Sequence, residues 1–207
     1  MSDQKKPDPI FAALENSLRE AASTLTRFQS DSVNVAALNS MAQRLAECFK
    51  SGHKVLACGN GGSACDAIHF SEEFTGRFRK HRKALPAIAL TESSHLTCVA
   101  NDYGWDEVFA RGVEAYGKPG DILVAISTSG NSPNVIRAVE VAKSLDMGVF
   151  LLLGKSGGQL KTIADKESHI LKIVVESETT ERIQEIHITA LHILIECVER
   201  ILFPENY

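Results

Sequence analysis

Four hydroxyls crowd into six residues at Ser127, Thr128, Ser129 and Ser132, in the run S-T-S-G-N-S. They follow directly on an apolar stretch, Ile122 to Ile126, and precede Val135, Ile136, Ala138, Val139 and Ala142 at helical spacing. Strand, polar turn and helix in that order bring backbone N–H groups, the positive end of a helix dipole and several O–H donors to the carboxyl edge of a sheet. Such a place suits an anion, and phosphate is the natural guest. The competing reading is that Ser129 or Asn131 caps the helix, with Pro133 in its first turn; a cap uses one hydroxyl, and this loop has four. A second group is His69 and Glu73, four apart and therefore on one helical face. An imidazole and a carboxylate so placed can ligate one metal or work as an acid/base pair, and a solvated pair is the ordinary alternative. A third is Gln184, His187 and His192, nine residues of a stretch otherwise filled with Ile183, Ile186, Ile188, Ala190, Leu191, Ile193 and Leu194. That pattern predicts a helix from Thr180 to Leu202 that is apolar almost all round, hence buried. Polar groups in it need partners, since an unpaired one costs about 1–3 kcal/mol.

The elements that must position these groups alternate. Short apolar runs at Lys54–Cys58, Pro86–Leu90, Ile122–Ile126, Gly148–Leu153 and His169–Val175 predict strands. Helical periodicity fills the gaps, with one helix running from the glycine turn to about Arg79, a short one ending at Asn101-Asp102, and one over Asp106–Tyr116. The expected class is α/β, a doubly wound, five-stranded parallel sheet flanked by helices. Ahead of it, Phe11, Leu14, Leu18, Ala21, Leu25 and Phe28, then Leu38, Met41, Ala42, Leu45, Ala46 and Phe49, describe an N-terminal helical pair over residues 10–50. Residues 1–207 read as a single domain, with that pair packing on it or on a neighbouring subunit. Gly59, Asn60, Gly61, Gly62 and Ser63 form a tight turn opening a helix, a second cradle for an anion or a sugar. Gly59-x-Gly61-x-x-Ala64 fits a dinucleotide fingerprint poorly, because the second strand and its Glu92 come too late. Gly154-Lys155-Ser156 lacks the first glycine of a P-loop at the required spacing.

Composition excludes several classes. The chain has 207 residues with a formal net charge of −4, and its basic run, Arg77 to Lys83, is short, so nothing favours nucleic acid. No apolar run approaches the roughly 20 residues of a membrane span, and the start M-S-D-Q-K-K-P-D-P has no signal-peptide core. Five cysteines form no C-x-x-C pair, and an odd count at irregular spacing is not a disulfide framework; they read as small apolar residues in a reducing compartment. The expectation is a soluble, cytoplasmic protein.

Four blocks then act together: C-G-N-G-G-S-A-C-D-A-I-H-F-S-E-E-F-T-G-R (Cys58 to Arg77), A-N-D-Y-G (Ala100 to Gly104), S-T-S-G-N-S-P-N-V (Ser127 to Val135) and R-I-Q-E-I-H-I-T-A-L-H (Arg182 to His192). In this order they resemble the bacterial phosphoheptose isomerases of the sugar isomerase (SIS) domain superfamily, over nearly the whole chain. The resemblance implies a SIS fold, a homotetramer, and isomerisation of D-sedoheptulose 7-phosphate to D-glycero-D-manno-heptose 7-phosphate, the first step of ADP-heptose and lipopolysaccharide core biosynthesis. It implies a phosphate loop at Ser127, Thr128, Ser129 and Ser132, and sugar contacts from Asn60, Gly61, Gly62, Asn101, Asp102, Glu73 and Gln184. It also implies a zinc ion on His69, Glu73, Gln184 and His192, with Glu73 as base and His192 as acid. Gln184 and His192 are eight apart, about 12 Å along a helix, so a shared ion demands that their side chains lean together. The sequence departs from some relatives at Ala64, where histidine occurs, and in its extended, proline-containing N-terminus. Two alternatives stay open: a non-catalytic SIS regulator binding the replication initiator protein, which would lack the acid/base and metal side chains, and a SIS enzyme for another phosphosugar.

Overall fold

In the computed structural model, which describes residues 8–207, five strands form one parallel sheet: β1 (Val55–Gly59), β2 (Ala87–Ala89), β3 (Ile122–Ser127), β4 (Gly148–Gly154) and β5 (Ile170–Val175). Their spatial order is β2-β1-β3-β4-β5. The two-residue period of a strand sorts side chains between two cores. Val55, Ala57, Val124, Ile126, Phe150 and Leu152 face the helices α2 (Ser32–Lys50), α3 (Gly62–Thr75) and α8 (Thr180–Leu202). Leu56, Cys58, Leu123, Ala125, Leu151 and Leu153 face α4 (Ser93–Asp102), α5 (Ala110–Tyr116), α6 (Pro133–Ser144) and α7 (Gly158–Ala164). Every residue of β1 and β3 is buried, the reason their sequences are unbroken apolar runs rather than alternating ones. The class is the doubly wound α/β fold expected from the sequence.

The N-terminal pair divides its labour. Asp8 caps α1 (Pro9–Ser30), accepting from Ile10 N–H at 2.9 Å, and Asp31 caps α2, accepting from Val33 and Asn34 at 2.8 and 3.3 Å. The Asn34 amide then pairs with the free edge of β5, donating to the Val174 carbonyl and accepting its N–H, both at 2.9 Å. This covers an edge that would otherwise seek a partner. Helix α2 buries Leu38, Met41, Leu45 and Phe49 on the sheet. Helix α1 buries only Thr24 and Phe28, while Ile10, Phe11, Leu14, Leu18 and Leu25 stay 45–74% exposed.

Three sequence expectations need correction. Helix α3 stops at Thr75, not near Arg79, because Gly76 turns the chain away (φ −90°, ψ −119°). The helix expected over Asp106–Tyr116 is a 3₁₀ turn at Trp105–Glu107 followed by α5, with the break falling where Val108 and Phe109 are both buried. Helix α8 is not buried all round: Ile193 is 41% exposed and Ile188 and Cys197 are half-buried, so its apolar surplus forms an outward strip.

Candidate active site

Strands β1 and β3 lie side by side, yet α3 leaves β1 toward one face of the sheet and α6 leaves β3 toward the other. That divergence is the topological switch point, where an open parallel sheet has its crevice. The serine loop and the glycine turn form its two lips. Helix α6 has Ser132 at its N-cap and receives no side-chain capping bond, so capping does not account for the hydroxyls. Asn131, the other capping candidate, is a staple: its Oδ1 accepts from Gln159 N–H at 2.9 Å and its Nδ2 donates to the Ser129 carbonyl at 3.1 Å. Ser127 Oγ accepts from Gly130 N–H and lies 3.1 Å from Ser132 Oγ; Ser129 Oγ accepts from Asn131 N–H at 3.2 Å. Thr128 is half-buried alongside, and hydroxyls with first-turn amides at a helix start are the groups that suit an anion.

Across the crevice, Gly61 (φ 56°) is the N-cap of α3, again with no side-chain cap. The amides of Ser63 and Ala64 turn back to the carbonyls of Asn60 and Gly61 at 3.0 Å, which leaves Gly61 and Gly62 as the first-turn donors. A methyl on Gly62 would meet the Gln184 amide at 2.5–2.8 Å, so Gln184 rests directly against this turn. The Asn60 side chain pairs with that of Asn134, a residue the sequence reading passed over.

Further along α3, His69 Nε2 lies 3.3 Å from Glu73 Oε1 and 3.4 Å from His192 Nε2 on α8. The three ligand atoms fall within 4.8 Å of one another. For bonds of about 2.05 Å, tetrahedral geometry sets ligand atoms roughly 3.3 Å apart, so these spacings suit a zinc-sized ion. Phe78 stacks on the His192 ring at 6.0 Å and 26°, and Arg79 covers Phe78 while bonding Glu196 at 2.8 Å. Gln184, the fourth expected ligand, is two turns nearer the start of α8 and is directed to Gly62 instead. Asp66 shares the α3 stripe of Gly62, His69 and Glu73. Its Oδ2 is buried with no hydrogen-bond partner among the described residues, and burial pushes the carboxyl up to about 6 against the pull of His69. Of the three polar α8 residues expected in a dry setting, only His187 is fully buried; Gln184 and His192 are half-buried. Asn101 and Asp102 are exposed in the last turn of α4, bonded to each other at 2.8 Å, and among the described residues no hydrogen bond ties them to the cleft. His95 donates a ring N–H to the Val108 carbonyl at 3.1 Å and serves the fold.

Arg82 holds the C-terminal end of α3 in place. Its guanidinium donates to the carbonyls of Glu73, Phe74 and Gly76 at 2.5, 2.7 and 3.1 Å, closing the helix terminus. It also bonds Glu199 of α8 at 2.7 Å, with both side chains at most 2% exposed. Removing one partner leaves a buried charge, so Arg82→Ala should lower stability by about 3–5 kcal/mol, whereas a paired Arg82→Met, Glu199→Met variant should regain much of it. Urea midpoints compare the two directly.

His187 donates Nε2–H to the Leu153 carbonyl at the end of β4, 3.0 Å away, and complete burial lowers its pKa from 6.5 to about 4. The unfolded chain therefore takes up the proton first. Stability from this residue is intact above about pH 6.5 and is lost as pH falls toward 4, by up to about 1.4 kcal/mol per pH unit. His187→Gln, which can keep the donor, should show a shallower acid slope in denaturant titrations at pH 7, 6 and 5.

The family model of the SIS domain matches residues 18–154, which include four of the five strands and the serine loop. Relatives are more particular. The phosphoheptose isomerase of Fusobacterium nucleatum is 60% identical over 167 residues, covering 81% of this chain and 84% of that protein, and that of Edwardsiella ictaluri is 51% identical over 187, covering 90% and 95%. The solved phosphoheptose isomerase of Francisella tularensis superposes with a TM-score of 0.83 at 35% identity, covering 95% of this chain and all of that one; that of Neisseria gonorrhoeae gives 0.80 at 39%, covering 92% and 96%. The chain belongs to the phosphoheptose isomerase family.

Proposed function

We propose that the protein interconverts D-sedoheptulose 7-phosphate and D-glycero-D-manno-heptose 7-phosphate through an enediol, supplying the first step toward ADP-heptose and the lipopolysaccharide core. The observation that carries this reading is the His69–Glu73–His192 cluster, in a chain that also has an uncapped hydroxyl loop and is 60% identical to a named phosphoheptose isomerase. The loop grips the phosphate, and binding energy from that remote end holds C1 and C2 near Glu73. Glu73 removes the C1 proton and returns one to C2. His69 Nε2 lies 3.3 Å from its Oε1. His192 serves the sugar oxygens, its ring held by Phe78. A zinc ion would be held by His69, Glu73 and His192, with Gln184 joining if its side chain swings from Gly62; when bound it polarises oxygen atoms and orients Glu73. Elemental analysis should find about one zinc per chain, and chelation should cut turnover at least about tenfold with recovery on adding zinc. Zinc-free enzyme with full turnover would remove the metal from the reaction.

A regulator that has lost the chemistry would lack these side chains, and this chain keeps them all. We further propose a homotetramer assembled in the cytoplasm. Its support is the exposed apolar face of α1 and the groove lined by Leu25, Phe28, Val35, Leu38, Ile193 and Cys197. No helix of the described residues is long and apolar enough to cross a membrane. Incubation with sedoheptulose 7-phosphate, followed by NMR of the product, tests the activity; absence of conversion with and without zinc would move the reading to the regulator.

A further inference from the structure

We propose that the side-chain amides of Asn60 and Asn134 form a clasp that fixes the separation of the two lips of the crevice, and that Asn134 serves the reaction through this clasp. The inference rests on the proposed isomerase reading and adds to it a positioning residue, Asn134. The two amides exchange hydrogen bonds reciprocally: Asn60 Nδ2 donates to Asn134 Oδ1 and Asn134 Nδ2 donates to Asn60 Oδ1, each at 2.9 Å. A planar, two-bond ring of this kind fixes both distance and orientation. Asn134 is 1% exposed, so its amide has no solvent to fall back on.

The location gives the pair its consequence. Backbone pairing between β1 and β3 ends at Gly59 opposite Ile126, and beyond that point the two chains diverge to opposite faces. Asn60 is the residue immediately after this last pairing, and Asn134 lies in the first turn of α6. The amide ring therefore joins the glycine turn to the serine-loop helix just past the end of the ladder. Helix α3, which begins at Gly62, carries His69 and Glu73; the α6 side carries the phosphate loop. Whatever fixes the separation of those two helix starts fixes how far C1 of a sugar held by its phosphate lies from Glu73. Misplacement by about 1 Å can cost a hundredfold in rate.

The test is a double-mutant cycle with sedoheptulose 7-phosphate as substrate and inorganic phosphate as a competitive probe. Asn60→Ala and Asn134→Ala should each lower kcat/KM about a hundredfold, and the double variant should fall no further, because either change opens the same ring. The inhibition constant of inorganic phosphate, which engages the serine loop alone, should stay within about threefold of the parent value. Asn134→Asp, nearly the same shape, places a carboxylate oxygen against Asn60 Oδ1 and should be as slow as Asn134→Ala at pH 8, and the retained phosphate inhibition constant distinguishes a slow variant from an unfolded one. Additive losses in the double variant, or Asn134 variants as active as the parent, would overturn the clasp. Weakened inorganic phosphate binding would also overturn it, by assigning Asn134 to the integrity of the serine loop. Parent enzyme that fails to convert the sugar strikes at the isomerase reading instead.

Discussion

Glu73→Gln is expected to turn over sedoheptulose 7-phosphate about a thousandfold or more slowly than the parent while binding it almost as well. General-base catalysis by a positioned side chain contributes about 10²–10⁴ in rate, and the substitution removes basicity while preserving shape. A glutamine amide oxygen can still accept from His69 at the position now held by Oε1, 3.3 Å away. Glu73 is also well placed to be a selective target, since its side chain is 16% exposed and its backbone carbonyl is gripped by Arg82. Steady-state kcat against KM checks this. A loss confined to kcat places Glu73 in the transition state; mild, equal changes in both would take the base role away from it.

Gly130→Ala should abolish useful phosphate binding, raising KM about a hundredfold or more and removing competition by inorganic phosphate. Gly130 has φ 65°, a conformation that an L side chain adopts at a cost of order 1–3 kcal/mol. A methyl there would also run into the Gly157 carbonyl, backbone against backbone, with no flexible side chain to yield. The loop cannot move aside freely, because the Gly130 carbonyl accepts from Leu160 N–H at 3.0 Å and Asn131 accepts from Gln159. The hydroxyls must therefore shift with the backbone. Ser129→Ala is the milder companion, deleting one donor from an intact loop. Kinetics and phosphate inhibition on both variants separate loop shape from hydroxyl number; a Gly130→Ala enzyme with parental KM would show that the serine loop does not hold the phosphate.

Much of this arrangement is written locally in the chain. The strands are legible because a strand buried on both faces must be an apolar run, and β3 followed by hydroxyls announces the sheet edge at which an anion is proposed to bind. His69 and Glu73 are legible because four residues make a helical turn. Partners distant in sequence leave no such spacing. Arg82 and Glu199 are 117 residues apart, Asn60 and Asn134 are 74 apart, and neither pair is visible before the sheet order brings α3 beside α8 and β1 beside β3. Arg82 is hidden further by its neighbours, Arg77 to Lys83, whose composition suggests a solvated basic run when one member is in truth a buried helix cap. Helix α8 misled in the opposite direction: its apolar residues exceed what one core can cover, and the excess faces outward beside α1 and α2 rather than inward.

Conversion of sedoheptulose 7-phosphate in D₂O, followed by proton NMR, tests the central claim most directly. Proton transfer by a carboxylate in exchange with solvent places deuterium at C2 of the aldose product and, after repeated turnover, at C1 of the ketose. The same experiment with Glu73→Gln should show neither product nor exchange. Full retention of the substrate's own hydrogen through many turnovers, or exchange undiminished in the Glu73→Gln enzyme, would contradict an enediol route run by Glu73.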